Sequence, residues 1–200
     1  MLWNEEIYRQ TISFAGRAHA KQNIPGMEIP YLKHLACVTM ETASAILNAQ
    51  LGKNQNENQT KNQAENQNEN QNDLDINFAI QCALLHDVIE DTSVSYEEVM
   101  VSFGEKIANG VLALTKNNKL PKKDQMKDSL DRILMQPIEI RIVKMADRVD
   151  NLYSAPVYWT PLKRQSYQQE ARQILAALGG VNEHIETRLK MKIEAYSQYY

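Results

Sequence analysis

Apolar residues recur at a spacing of three or four in nearly every segment of this chain, and no segment alternates with the period of two typical of a half-buried strand. The first stretch, capped by Asn4, has Ile7, Thr11, Phe14 and Ala18 on one helical face up to about residue 20. The same spacing predicts further helices over residues 31–48, 75–91, 95–103, 104–115, 124–135, 137–152, 161–178 and from 182 onward. The pattern therefore predicts an all-α fold, a single helical bundle over residues 1–200.

Composition excludes several classes of function. Lys and Arg total 22 against 25 Asp and Glu, so the net charge of −3 gives no basis for broad electrostatic binding to nucleic acid or an anionic membrane. No apolar run approaches 18 residues, and the N-terminus lacks the pattern of a signal peptide. Cys37 and Cys82 lie in apolar stretches without a CxxC spacing, as expected of buried thiols in a reducing compartment. We therefore expect a soluble cytoplasmic domain.

One segment departs from this composition. Between residues 54 and 72, 13 of 19 residues are Asn or Gln, and none is a large aliphatic residue. Such a stretch buries too little apolar surface to offset the entropy of ordering it, so residues 53–73 are predicted to form a disordered low-complexity insertion. A role in assembly is the alternative. Because three glutamates interrupt the tract, we favour an inert loop between two helices.

The most informative string is ALLHDVIEDT at residues 83–92, where His86, Asp87, Glu90 and Asp91 end the most apolar predicted helix. On a helix His86 lies beside Glu90, and Asp87 lies beside Asp91. Leaving such charges buried without a partner would cost several kcal/mol, and a bound divalent metal would compensate. Imidazole and carboxylate ligands suit Mn, Fe or Zn. The alternative is a helix end with solvated acids and one capping histidine, which would be the better interpretation of an isolated His-Asp pair.

Two further fragments supply residue types that could complete such a metal site. His34 falls in the first turn of the helix that follows Pro30. In the helix over residues 137–152, Lys144, Asp147 and Asn151 share one face at positions i, i+3 and i+7, away from the apolar face. Asp147 is either paired with its basic neighbours, Lys144 and Arg148, or a metal ligand within a phosphate-binding wall. The residues alone leave both possibilities open.

The order of His34, His86-Asp87 and Asp147 resembles the H…HD…D pattern of the HD-domain metal-dependent phosphohydrolases. The chain is most similar to the hydrolase domain of the RelA/SpoT family and its small stand-alone relatives of the metazoan SpoT homologue type. Residues 85–92 resemble the family segment LHDVVEDT, and residues 144–151 resemble KLADRxxN. The resemblance covers nearly the whole chain except the Asn/Gln tract.

This resemblance implies a role for each matching residue. His34, His86, Asp87 and Asp147 would bind one Mn²⁺ or similar divalent ion, while Glu90 and Asp91 would position or deprotonate the attacking water. The implied substrate is a small nucleotide, a guanosine 3′-diphosphate alarmone cleaved at its 3′ position to release pyrophosphate. The residues implied to contact it are Lys21, Lys144, Arg148, Asn151 and Ser154.

The chain also departs from the family pattern. Family members usually carry a basic pair in the loop before the first ligand histidine. Here that loop, residues 21–29, has a single basic residue, Lys21. This difference keeps two alternatives open: hydrolysis of another phosphorylated nucleotide, and a non-catalytic nucleotide-sensing module. His19 and His184 are expected to be structural, since His19 ends the first helix, where a cation interacts favourably with the helix dipole.

Overall fold

The structure, a computed structural model, describes residues 3–60 and 74–200, with side chains for 3–52 and 74–200. Within these residues the secondary structure is helical, and the nearest approach to a strand is an isolated bridge between Asn23 and Pro30. The helices are α1 (Glu5–Ala18), α2 (Leu32–Thr60), α3 (Ile76–Leu85), α4 (Val88–Asp91), α5 (Tyr96–Phe103), α6 (Glu105–Leu114), α7 (Lys122–Leu134), α8 (Ile138–Asn151), α9 (Pro161–Leu178) and α10 (Glu183–Ala195), followed by a 3₁₀ turn at Tyr196–Tyr199. The predicted all-α fold is confirmed.

Local sequence signals account for several helix starts. The Asn4 side chain accepts hydrogen bonds from the backbone N–H groups of Glu6 and Ile7, and so caps α1. Ser95 and Glu98 form the predicted capping box at the start of α5. The side chain of Asn182 caps α10 by accepting a hydrogen bond from the backbone N–H of Ile185. Each cap joins residues at most three apart, so the chain specifies these boundaries before any tertiary contact forms.

Helix α2 is longer than predicted. It continues to Thr60, whereas the apolar pattern predicts an end at residue 48. Residues 49–60 contain no proline, and seven of the twelve are Ala, Gln, Leu, Lys or Glu, which propagate a helix well; the single Gly52 and three Asn weaken the helix but do not stop it. The predicted insertion at 53–73 therefore begins in helical backbone. Its remaining residues, 61–73, lie outside the described part of the chain.

The predicted helix over residues 75–91 is in fact two helices, α3 and α4, separated by a turn at His86 and Asp87. The backbone of Asp87 has φ −107° and ψ 0°, outside regular helical values. Consecutive side chains on an α-helix diverge by about 100°. The turn relieves this divergence, because the His86 and Asp87 side chains face one centre, with His86 Nε2 at 2.9 Å from Asp87 Oδ2.

Helices α2, α3 and α8 pack against one another at the centre of the core. Helix α3 is buried along most of its length and packs against α1, α2, α6 and α8. Gly110 of α6 permits a close approach here, since a Cβ at this position would lie 2.8 Å from Ile140 Cδ1. Cys82 is buried in this core as predicted, whereas Cys37 is only half-buried. In the described part of the chain, no helix is both long and apolar enough to cross a membrane.

Candidate metal centre

The structure brings the predicted metal ligands together from three elements: the first turn of α2, the turn between α3 and α4, and α8. One ligand atom each from His34, His86 and Asp147 lies within 4.8 Å of the other two, and all three residues are buried. The two imidazole Nε2 atoms are 3.3 Å apart. Asp147 Oδ1 lies 3.5 Å from Nε2 of His34 and 3.7 Å from Nε2 of His86. Nitrogen and oxygen donors that converge in this way fit a divalent transition-metal ion.

The other ring nitrogen of each histidine is already engaged. Nδ1 of His34 lies 2.7 Å from Asp150 Oδ2, and Nδ1 of His86 lies 2.8 Å from the carbonyl oxygen of Ala83. Both partners are acceptors, so each Nδ1 donates its proton and each Nε2 is the nitrogen available to a cation. This arrangement, with an outer acceptor fixing the tautomer, is typical of metal-binding histidines.

Asp87, the fourth predicted ligand, borders the same centre. Its Oδ2 lies 2.9 Å from His86 Nε2 and 3.8 Å from His34 Nε2. The hydroxyl of Tyr31 donates a hydrogen bond of 2.5 Å to this oxygen and fixes the carboxylate. Asp87 is therefore placed to complete a set of two imidazoles and two carboxylates.

The ionisable groups of this buried centre shift one another's pKa. Burial opposes ionisation of Asp147, but Lys144, His34 and His86 lower the pKa of its carboxyl well below the ordinary value. Burial likewise opposes protonation of His86, yet Asp87 and Asp147 raise the pKa of the imidazole well above its ordinary value. Protons therefore compete with a metal for Nε2 up to an unusually high pH. Metal binding should release protons and weaken as the pH falls.

Replacing Asp150 with alanine is expected to weaken divalent-metal binding by roughly 10- to 100-fold, since His34 loses the acceptor that orients its ring. Isothermal titration with Mn²⁺ measures this change directly. Asp131→Ala is the matched control, because Asp131 is an exposed acid on α7 that pairs with Lys127. An Asp150→Ala protein that binds Mn²⁺ as tightly as the wild type would contradict this role of Asp150.

The two predicted proton-handling carboxylates have different surroundings. Glu90 accepts hydrogen bonds from the backbone N–H of Lys116 at 2.8 Å and from its Nζ at 2.7 Å. Asp91 is more exposed, and its Oδ2 accepts a hydrogen bond of 3.0 Å from Gln22 Nε2. Burial and the nearby charge of Asp87 raise the pKa of Asp91. Asp91 is thus the carboxylate better suited to accept a proton.

These groups line a cavity of about 750 Å³, large enough for a nucleotide. Its acidic lining residues are Asp87, Glu90, Asp91, Asp147, Asp150 and Glu170. Its basic lining residues are Lys33, Lys116, Lys122, Lys123, Lys144, Arg148 and Lys163. Tyrosines and Trp159 contribute aromatic surface. The cavity therefore offers a metal-binding end, several cations and flat rings to one ligand.

Four of the five predicted substrate contacts line this cavity. Lys144 and Asn151 both donate to Asp147, at 3.0 and 2.5 Å, so they also support the metal centre. Arg148 is buried, with its guanidinium 4.0 Å from the centre of the Tyr167 ring. Ser154 is an exposed lining residue.

Lys21 is exposed and does not belong to the cavity lining, so the structure does not support it as a contact to a molecule bound there. The neighbouring Gln22 turns its side chain into the site instead, where His19 and Asp91 hold it. The basic loop that begins at Lys116 supplies cations from another part of the chain.

Sequence reasoning missed several residues of the site. Asp150 lies three positions after Asp147 on α8, a spacing that could have indicated a second carboxylate on the same helical face. Tyr31 and Gln22 carry no signal in a single sequence, because their partners, Asp87 and Asp91, lie 56 and 69 positions away. The lysines of residues 116–123 are visible as a basic loop, but only the fold brings that loop to the cavity.

Comparison with known proteins identifies similar chains. A family model described as "HD domain" matches residues 11–181. The protein named guanosine-3′,5′-bis(diphosphate) 3′-pyrophosphohydrolase MESH1 from Drosophila melanogaster is 31% identical over 114 residues, which cover 55% of this chain and 64% of that protein. The human protein of the same name is 31% identical over 115 residues, again covering 64% of its length. The chain therefore matches somewhat less than two thirds of these relatives.

A third relative and two solved structures extend the comparison. The guanosine-3′,5′-bis(diphosphate) 3′-pyrophosphohydrolase of Aquifex aeolicus is 33% identical over 102 residues, covering 50% of this chain and 14% of that protein. A solved metazoan ortholog of SpoT, described as hydrolysing ppGpp, superimposes with a TM-score of 0.72 at 23% identity and covers 96% of both chains. A protein from Listeria monocytogenes superimposes with a TM-score of 0.57 at 19% identity, covering 88% of this chain and 99% of its own. At these identities the two structures establish a shared fold.

Proposed function

Because this chain belongs to the HD-domain family, we propose that it is a metal-dependent phosphohydrolase that cleaves a guanosine 3′-diphosphate alarmone such as ppGpp at its 3′ position and releases pyrophosphate. One observation carries the proposal: His34, His86 and Asp147 are buried and their ligand atoms converge, with Asp87 beside them. This cluster lies on a cavity that is also lined by Lys and Arg side chains. The similarity to proteins named as pyrophosphohydrolases of this nucleotide supports the choice of substrate.

Mn²⁺ is the proposed ion, since two imidazoles and two carboxylates suit a metal of intermediate softness and leave positions for further ligands. The proposed compartment is the cytoplasm, in agreement with the two unpaired thiols, Cys37 and Cys82. The proposed partner is a small nucleotide.

The side chains divide the reaction among them. His34, His86, Asp87 and Asp147 would hold the ion, which when bound would lower the pKa of water and neutralise charge on the phosphoryl group. Asp91 accepts a proton from the attacking water, whose oxygen bonds to the phosphorus attached to the 3′ oxygen. The bond between that phosphorus and the 3′ oxygen breaks and pyrophosphate leaves. The 3′ oxygen takes a proton from solvent to become the 3′ hydroxyl, and Asp91 releases the proton it accepted to solvent. Lys116 holds Glu90 beside this step through two hydrogen bonds.

The lysines of the cavity would bind the phosphates that do not react. Lys122, Lys123 and Lys163 all line the cavity, and none pairs with a carboxylate among the described residues. A substrate with a second diphosphate group would supply the negative charge that balances these three lysines. This arrangement replaces the basic pair that is absent from the loop before His34.

The double substitution Lys122→Ala with Lys123→Ala is expected to raise KM about 5- to 30-fold, at roughly 0.5 to 1 kcal/mol for each exposed charge contact, while kcat changes little. Steady-state kinetics at low and high salt test this, because added salt should shrink the difference between variant and wild type. Lys127→Ala is the control, since Lys127 lies on the same helix but pairs with Asp131 outside the cavity. An unchanged KM in the double variant would remove the two lysines from the substrate site.

The deciding experiment is pyrophosphate release from ppGpp by the purified protein, with Mn²⁺ and with a chelator. Metal-dependent release, and none from GDP, which lacks the 3′-diphosphate, is the expected result. Tight Mn²⁺ binding without release would instead favour the second candidate, hydrolysis of another phosphorylated nucleotide. The observation that favours this candidate is the single, outward-lying Lys21 in a loop where related hydrolases carry two basic residues. Nucleotide binding without any turnover would favour a sensing module, against which the intact ligand set argues.

A further inference from the structure

A hydrogen-bonded pair, the buried His19 and the half-buried Gln22, lies beside the proposed proton acceptor, Asp91. Gln22 donates from Nε2 to Asp91 Oδ2 at 3.0 Å, while its Oε1 lies 2.6 Å from Nδ1 of His19. A side-chain amide has one donor end and one acceptor end, and only the donor end can face a carboxylate favourably. The amide oxygen therefore faces His19, so Nδ1 of His19 must donate to it, and this hydrogen bond holds the amide with its NH₂ toward Asp91.

The surroundings of His19 fix this arrangement. The residue is 3% exposed, and its Nε2 is buried without a hydrogen-bond partner among the described residues. With an acceptor only at Nδ1 among the described residues, the ring donates a proton there to Gln22 Oε1. The imidazole stacks on the Tyr31 ring, with centroids 5.0 Å apart and planes at 28°. The backbone of Gln22 is also held, by hydrogen bonds to His19 and to Tyr31 of 2.9 Å each.

The Asp91 carboxylate is held by fewer hydrogen bonds than that of Glu90. Asp91 ends α4, a helix of four residues, and it is exposed, so its side chain would otherwise sample several rotamers. Glu90, by comparison, is tied to Lys116 by two hydrogen bonds. Gln22 is the one side chain in the described part of the chain that donates a hydrogen bond to Asp91.

We propose that His19 and Gln22 act as positioning residues that aim the Asp91 carboxylate for proton transfer, with His19 setting the orientation of the Gln22 amide. This inference rests on the proposed function and deepens it, since it assigns a task to a histidine that sequence patterns indicate to be a structural helix end. Among the described residues, the side-chain partners of Gln22 are His19 and Asp91, so the pair acts on the reaction through Asp91 and not through a metal ligand.

Two single variants remove the hydrogen bond between His19 and Gln22 but keep most of the packing. His19→Phe keeps a ring on Tyr31 but removes the Nδ1 donor, and Gln22→Met keeps the length of the side chain but removes both ends of the amide. Each is expected to lower kcat by about 10- to 100-fold, the effect of misplacing a reacting group by around 1 Å. KM and the Mn²⁺ affinity measured by calorimetry should stay within about threefold of the wild type.

His19→Asn is the matched rescue. Its side-chain NH₂ lies near the position of Nδ1 and can donate to Gln22, although the ring is lost, so it is expected to recover most of the kcat that His19→Phe loses. In the double variant His19→Phe with Gln22→Met, the losses should not add, because both act through one hydrogen-bonded chain. Equal kcat in His19→Phe and wild type, or equal losses in His19→Phe and His19→Asn, would overturn the proposal.

A measurement without turnover keeps this test separate from the proposed function. Nitrogen NMR of the full chain in Mg²⁺, which is diamagnetic, reports which ring nitrogen of His19 carries the proton. Protonation at Nδ1 is expected, and a ring protonated only at Nε2 would overturn the proposal whether or not the protein hydrolyses ppGpp. A wild type without pyrophosphate release but with the Nδ1 proton in place would instead reject the proposed function and retain the orientation of Gln22 by His19.

Discussion

Asp87→Ala is expected to reduce metal-dependent pyrophosphate release by at least about 10³-fold, equivalent to ~4 kcal/mol of transition-state stabilisation. The carboxylate lies 2.9 Å from His86 Nε2, at the border of the three converging ligand atoms, so its loss removes both a ligand and a negative charge from the proposed metal site. Release of pyrophosphate from ppGpp at saturating Mn²⁺ measures the effect. Calorimetry should show weaker Mn²⁺ binding in parallel.

The fold should survive this substitution. Asp87 lies at the cavity surface between α3 and α4, and its side chain loses the hydrogen bond from the Tyr31 hydroxyl and the 2.9 Å contact with His86 Nε2, while the apolar core is untouched. Circular dichroism in chelator should therefore give a helical protein that unfolds cooperatively. Asp87→Asn, which keeps an acceptor for Tyr31 but no charge, should be nearly as inactive. A fully active Asp87→Ala protein would exclude the proposed metal hydrolase.

Asp91→Asn is expected to lower kcat by about 10²- to 10⁴-fold while Mn²⁺ affinity stays close to that of the wild type, since Asp91 is proposed to take the proton and not to bind the metal. Glu90→Gln should cost less, because Glu90 is engaged by Lys116. Kinetics and calorimetry on the two variants, side by side, separate proton transfer from metal binding. Loss of Mn²⁺ binding in Asp91→Asn would instead make Asp91 a ligand.

The pH dependence provides an independent check on Asp91. Burial and the charges of Asp87 and Glu90 raise the pKa of its carboxyl above the ordinary value for aspartate. A general base acts when it is deprotonated, so kcat should rise with pH through this raised pKa and level off above it. Asp91→Asn should lack this acid limb. If the variant keeps the same limb at reduced kcat, the limb belongs to another group.

The sequence predicts those parts of the molecule that depend on neighbours along the chain. The caps at Asn4, Ser95 and Asn182 join residues up to three positions apart, so helix starts follow from local hydrogen bonding. The HD pattern also identifies four metal-ligand candidates, which the structure gathers at one site. Where local signals are weak, as in residues 49–60, which lack proline but contain Gly52, the predicted helix end is wrong.

Tertiary structure decides what surrounds these ligands. The acceptor that orients His34 is Asp150, 116 positions away, and the donor to Asp91 is Gln22, 69 positions away. No spacing rule connects such pairs, because they meet only after α1, α2, α3 and α8 have packed. Packing also turns Gln22 rather than Lys21 toward the cavity. The sequence determines which chemical groups the site contains. The buried environment that the fold creates determines their hydrogen-bond partners and pKa values, and the separation of one predicted helix into α3 and α4.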